Sequence, residues 1–293
     1  MPLKTSPLIA VSSWSVHNLL GITYSNGPGE TSNSAPNPTY GPGVLSLLDL
    51  PAELARRGFN RAEICHFHLA GQEPAYLAKV RNAFAGSRVT IQTLLIDDGD
   101  ITNPATRERD IAWIKFWIDA AALLGAERAR VIAGKATPSE SSLGLAVEGL
   151  KILARHGRER SVRIVTENWF DLLSSPKEVH HVLDALAGEL GFLADTGNWE
   201  GSTKYENLKS VFGRAELCHA KCSFGNNFVM DTADYKRCLD AAAEAGYKDP
   251  YTLIFESPGD EWQALQLEHD FIQMHAGQGP PERICAHREG NGP

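Results

Sequence analysis

Arg163-Ile164-Val165-Thr166-Glu167-Asn168-Trp169 is a short β-branched run that ends abruptly in a carboxylate and an amide. Such a run suits a buried parallel strand that delivers polar groups at its C-terminal end. Three runs downstream end the same way. Gly191-Phe-Leu-Ala-Asp195 leads into Thr196-Gly197-Asn198, Ala215-Glu-Leu-Cys-His219 leads into Ala220-Lys221, and Tyr251-Thr-Leu-Ile-Phe-Glu256 closes the set. If these four strands lie side by side, Glu167, Asp195, His219 and Glu256 meet in one place.

Working outward, the chain alternates strand and helix throughout. The first strand spans 8–14 and hands over to Ser15, Val16 and His17. The second spans 62–69, its alternation sending Glu63, Cys65 and Phe67 one way and His66 and His68 the other. The third, 89–96, closes on Asp97, Asp98 and Asp100, and the fourth, 130–133, ends at Gly134-Lys135. Helices are expected over 45–57 and 73–84, after an Asn103 cap with Pro104 at the first position, and from Ser139. The Ser175-Pro176-Lys177-Glu178 capping box opens the next. The remaining three run over 203–211, from an Asp231 cap to Gly246, and over 260–275. Eight such units make a closed parallel (β/α)8 TIM barrel, an α/β fold in a single domain over residues 1–277. A doubly wound open sheet is the competitor, but no Gly-x-Gly-x-x-Gly turn follows an early strand. Residues 21–43, rich in Gly, Pro, Ser, Asn and Thr, form a long loop after strand one. They read either as a lid, with Tyr24 and Tyr40 to stack on a ligand, or as a plain insertion. Residues 278–293 read as a C-terminal tail.

The totals narrow the function classes. With 293 residues, 43% hydrophobic and 22% charged, the composition is that of a soluble globular protein. The net charge of -8, with no local basic patch, argues against a nucleic-acid partner. No apolar run approaches the ~20 residues needed to span a bilayer, and Met1 to Ala10 does not read as a secretory leader. The five cysteines (Cys65, Cys218, Cys222, Cys238, Cys285) are scattered through apolar segments and suit a reducing, cytoplasmic compartment. Cys218 and Cys222 are spaced too widely for a CxxC zinc knuckle.

A barrel opens all its strand C-termini onto one face. Three carboxylates and an imidazole gathered there repel one another and lose hydration unless a cation sits among them or their pKa values rise strongly. Mixed Glu/Asp/His ligation suits one divalent ion, Mn2+, Mg2+ or Co2+, better than a thiolate-loving metal.

Val165-Thr-Glu-Asn-Trp, Ala194-Asp-Thr-Gly-Asn-Trp, Cys218-His-Ala-Lys and Ile254-Phe-Glu-Ser, in this order, resemble the xylose isomerase-like barrel superfamily, in the group labelled sugar phosphate isomerase/epimerase. The resemblance runs from about Leu8 to His275. It implies that Glu167, Asp195, His219 and Glu256 bind one divalent metal, and that Glu167 and Glu256 flank a sugar as acid and base. Two positions depart from the ketose 3-epimerases of the superfamily: Asn198 stands where they carry a histidine three residues after the strand-six aspartate, and Lys221 replaces the arginine they carry shortly after the strand-seven histidine. The strand ends show no arginine pair or glycine-rich nest for a phosphate.

The expected activity is therefore metal-assisted proton abstraction beside the carbonyl of a non-phosphorylated keto-sugar, an isomerase or epimerase reaction in which Lys221 donates to the oxyanion. Trp14, Trp169 and Trp199 are candidates to stack on the sugar, and His17, His66, His68 and Asn198 to contact it. The same first step also suits a lyase or dehydratase acting on a keto-sugar, keto-inositol or keto-glycoside. A non-catalytic sugar-binding barrel is the third possibility. Barrels of this group often pair as homo-oligomers.

Overall fold

A computed structural model describes residues 7–30 and 35–278. Eight parallel strands close into a barrel: β1 (Ile9–Ser12), β2 (Arg61–Cys65), β3 (Thr90–Leu95), β4 (Arg128–Arg130), β5 (Arg163–Glu167), β6 (Gly191–Asp195), β7 (Leu217–Lys221) and β8 (Tyr251–Ile254). Each pairs with its sequence neighbours, and β8 pairs back onto β1 with Ile9 opposite Tyr251. The helices that return the chain are α1 (Leu50–Arg56), α2 (Pro74–Gly86), α3 (Arg107–Leu124), α4 (Glu140–Glu159), α5 (Pro176–Ala185), α6 (Lys204–Phe212), α7 (Thr232–Glu244) and α8 (Glu261–Gln278). The (β/α)8 architecture read from the sequence is the one observed. Among the described residues no helix is long and apolar enough to cross a membrane. Of the segment 278–293 read as a tail, Gln278 ends α8, and residues 279–293, Cys285 among them, lie outside the described residues.

Side-chain caps start two of these helices. Ser139 accepts from the Ser142 amide while the Ser142 hydroxyl accepts from the Ser139 amide, a reciprocal cap that starts α4. Asp231 accepts from the Asp234 amide at the start of α7. Asn103 does not cap a helix as expected. Its side chain accepts from the Ala105 amide in a turn, and α3 begins at Arg107. The loop after β1 contains one small antiparallel pairing, Thr23–Tyr24 with Pro36–Asn37.

Two differences from the sequence reading matter for the site. The fourth strand is Arg128-Ala129-Arg130, not 130–133, so Arg130 ends the strand instead of starting it. The second strand stops at Cys65, and His66–His68 turn into one 3-10 turn, so the expected alternation breaks at His66.

The main core lies between strands and helices, and a small separate cluster, Val165, Leu193 and Leu217, fills part of the barrel interior. Beside it the interior is polar. Glu63, Gln92, Thr93 and Thr252 are all fully buried. Gln92 Nε2 donates to Glu63 Oε1 at 3.1 Å and to Thr252 Oγ1 at 3.2 Å, and Thr93 Oγ1 donates to Glu63 Oε1 at 2.9 Å. At the strand N-termini Arg61 Nε donates to Gln92 Oε1 at 3.0 Å and the guanidinium also pairs with Glu127. Each buried polar group is thereby satisfied by a neighbour, as low-dielectric interiors require.

Glu268 on α8 breaks that rule. It is fully buried, and neither carboxyl oxygen has a hydrogen-bond partner among the described residues. Burial holds its pKa well above the usual carboxylate range. The folded value therefore exceeds the unfolded one of about 4.3. Stability tied to this group is complete below the unfolded pKa and is lost as pH rises through the folded one. Glu268→Gln should match the wild-type stability near pH 4 and exceed it at pH 8, as measured by urea melts at both pH values. An unchanged difference between the two pH values would refute the assignment.

Candidate active site

Glu167 closes β5, Asp195 closes β6 and His219 lies on β7, so the register alone sets them at adjacent strand ends. Asp195 sits directly opposite His219, and Glu167 opposite Leu193. All three are buried. Each can present one ligand atom such that the three atoms lie within 4.8 Å of one another. His219 Nδ1 is 3.5 Å from Asp195 Oδ2 and 3.6 Å from Glu167 Oε1.

The backbone beneath is locked by side chains from the same motifs. Asn168 Oδ1 accepts from the Asp195 amide at 2.7 Å, and its Nδ2 donates to the Asp195 carbonyl at 3.0 Å. Thr196 Oγ1 accepts from the Lys221 amide at 2.9 Å. Asp195 Oδ1 accepts from the amides of Gly197 at 2.6 Å and Asn198 at 3.0 Å. Asn198 Nδ2 donates to Glu167 Oε1 at 2.8 Å. Asn198 thus faces a carboxylate that it orients.

Three neighbours of the cluster complete the electrostatics. Glu63 Oε2 lies 2.8 Å from His219 Nε2. Arg130, itself buried, places Nε 3.0 Å from Glu167 Oε2 and pairs also with Asp97. Removing one partner of such a buried pair typically costs about 3–5 kcal/mol, so Arg130 is a clamp between two carboxylates and not a free cation. Lys221 lies 3.2 Å from Glu256 Oε1. Burial would lower its pKa, but Asp195 and Glu256 hold it above the ordinary lysine value, so it stays charged. For Asp195, burial alone would raise the pKa; His219 and Lys221 hold it below the ordinary aspartate range.

The site can accept a cation. Glu63, Asp97, Glu167, Asp195 and Glu256 present five carboxylates against the two fixed cations Arg130 and Lys221. With Nε2 turned to Glu63, His219 directs Nδ1 at Glu167 and Asp195, a point where either a proton or a metal ion must sit. Burial works against protonation of His219, yet Glu63 and Glu167 hold its pKa well above the ordinary value while no metal is present. A mixed carboxylate and imidazole donor set at that point suits a divalent ion such as Mg2+ or Mn2+.

Glu256 stands apart from the three-residue cluster. It follows β8, is partly exposed, pairs with Lys221, and accepts from Trp14 Nε1 at 3.4 Å. A cavity of about 300 Å3 spans the barrel mouth between Glu256 and the cluster, with Trp14, Phe67 and Trp169 among its walls. Asn198 and Lys221 line it too.

The other candidates lie off this cavity. His17 stacks on Trp14 with ring centroids 4.5 Å apart, donates from Nδ1 to the Trp14 carbonyl at 2.6 Å and accepts from Asn18 at Nε2. Tyr40 packs its edge on both rings. His66 accepts from the Asp97 amide at Nδ1 and packs against Trp113 and Trp117. His68 bonds Ser13 Oγ at 2.8 Å, and burial lowers its pKa to about 3, so it is neutral. Trp199 is buried and donates to the Leu173 carbonyl at 3.1 Å. The 3-10 turn at His66–His68 is the reason neither of those histidines reaches the mouth. Conversely, Glu63, Asp97 and Arg130 are at the site without having been singled out as site residues. For Arg130 the signal misleads, since the apolar run Val131-Ile132-Ala133 follows it and put it at the start of the strand, whereas it ends the strand Arg128–Arg130.

Comparisons with known proteins give one family and a consistent set of folds. A family model described as xylose isomerase-like TIM barrel matches residues 51–277. Among curated proteins none matches the sequence significantly. A xylose isomerase-like TIM barrel protein from Mycobacterium smegmatis, solved in complex with magnesium, is 16% identical with a TM-score of 0.66 over 94% of this chain and 97% of that one. The 3-keto-D-glucoside 4-epimerase of E. coli is 13% identical with a TM-score of 0.61 over 78% of this chain and 94% of that one.

 The D-psicose 3-epimerase of Clostridium cellulolyticum H10 is 11% identical with a TM-score of 0.62 over 92% of this chain and 97% of that one. At these identities the likeness establishes the fold.

Lys221 reaches Glu256 by lying across Gly197. A Cβ on Gly197 would sit 2.3 Å from Lys221 Cδ, a clash that the flexible side chain can relieve by moving. Gly197→Ala should therefore keep stability within about 1 kcal/mol and displace Lys221 from Glu256 in a crystal structure of the variant. An unmoved ion pair would show that the glycine is not needed there.

Proposed function

The chain belongs to the xylose isomerase-like TIM barrel family, and we propose that it is a divalent-metal-dependent isomerase or epimerase of a non-phosphorylated keto-sugar. The observation that carries this reading is the single cavity shared by the Glu167, Asp195 and His219 cluster and the Lys221–Glu256 pair. The fold neighbours named as a keto-glucoside epimerase and a ketose epimerase support it, as does the magnesium complex.

Glu167, Asp195 and His219 would hold the ion, which supplies Lewis acidity toward a carbonyl oxygen. Glu256, outside the cluster, removes the proton beside the carbonyl. Lys221 donates to the oxygen where negative charge develops. Glu167 stands across the cavity and can return a proton, while Asn198 fixes its orientation. Trp14 and Trp169 offer aromatic faces to the sugar. Arg130 and Lys221, the cationic Arg and Lys side chains among the described lining residues, are both paired with carboxylates, which favours an uncharged sugar over a phosphorylated one. The four described cysteines are free and buried, in keeping with a cytoplasmic enzyme.

Proton NMR in D2O of the Mg2+-loaded protein with ketoses, inososes and keto-glycosides tests the reading. Deuterium should appear beside the carbonyl of an intact sugar only when metal is present. Loss of a hydroxyl or aglycone would make the enzyme a lyase, and no exchange with metal bound would overturn the substrate class. Glu256→Gln should lower turnover by about 100-fold or more with the fold intact, and turnover like the wild type would remove Glu256 from the mechanism.

A further inference from the structure

We propose that Glu63 is the positioning residue of the metal centre, fixing the tautomer of His219 so that Nδ1, and not Nε2, faces the cation. The inference rests on the metal-centre reading above. Glu63 is fully buried beneath the site and receives donors on both oxygens: Gln92 Nε2 at 3.1 Å and Thr93 Oγ1 at 2.9 Å on Oε1, and His219 Nε2 at 2.8 Å on Oε2. Gln92 is fixed in turn, since its Oε1 accepts from Arg61 and its amide nitrogen must therefore face Glu63 and Thr252. Glu63 accordingly acts as acceptor only, and the hydrogen on His219 must be on Nε2. The lone pair on Nδ1 is then directed at Glu167 Oε1 and Asp195 Oδ2. Partners of this kind orient ligating histidines in metal sites generally.

Glu63→Gln preserves the shape and reverses this logic. The two donors Gln92 and Thr93 hold the new amide oxygen, so its NH2 group turns toward His219 and donates to Nε2. The proton of neutral His219 then moves to Nδ1, where it blocks ligation. Equilibrium dialysis with Mn2+ should show affinity falling by about 10- to 100-fold in a variant whose circular dichroism shows it folded. In the metal-free proteins, 15N–1H correlation of the His219 ring, at a pH where it is neutral, should show the hydrogen on Nε2 in the wild type and on Nδ1 in the variant. Wild-type Mn2+ affinity in a folded Glu63→Gln protein, or the same tautomer in both, would overturn the proposal. If the wild type binds no Mn2+, the function proposed above fails, while the tautomer measurement still decides the role of Glu63. Should Glu63→Gln not fold, Thr93→Val removes one donor to Glu63 and should weaken Mn2+ binding by a smaller factor, and unchanged binding would count against the proposal.

Discussion

The structure turns on the mutual repulsion of carboxylates gathered in a low-dielectric barrel mouth. Glu63, Asp97, Glu167 and Asp195 are held together by few fixed positive charges, and each is tied to a stated partner. Arg130 bridges Asp97 and Glu167, Lys221 leans on Glu256, and His219 stands between Glu63 and the two cluster carboxylates. Isolated buried ions would be expensive in such surroundings. The close parallel packing of β5, β6 and β7 brings the acids together, and the same packing supplies the amides and side chains that orient them.

Those partners also explain why the mouth is asymmetric. On one side Glu167 and Asp195 are immobilised by Asn198, Asn168 and backbone amides. On the other, Glu256 is partly exposed and held by a lysine side chain and an indole. A rigid wall that fixes an ion and a more yielding wall that handles a proton are different demands, and the two sides of this cavity are built differently.

Much of this was legible in the sequence. Glu167, Asp195 and His219 end short runs rich in apolar residues, so those runs alone set them at strand ends, and the eight alternating units give the barrel. What was not legible depends on contacts between distant segments. Arg130 ends the strand Arg128-Ala129-Arg130, while the apolar run that marks the element, Val131-Ile132-Ala133, comes after it. Glu63 was set on the same side of its strand as Cys65 and Phe67, but its partner His219 is 156 positions away and the pairing exists only once the barrel closes. His66 and His68 were read as an extended alternation, and the 3-10 turn removes them from the mouth. Asn103 has the right side chain for a helix cap, yet satisfies a turn one step earlier.

The polar column inside the barrel has a consequence for engineering. From Glu127 and Arg61 at one rim, through Gln92 to Glu63, the interior side chains form a continuous set of hydrogen bonds that ends on His219. Active sites on this architecture are often treated as interchangeable loops set on an inert plug. Here the plug is wired to the chemistry, so grafting the centre onto another barrel would require transplanting the inward residues of β2 and β3 together with the strand ends above them.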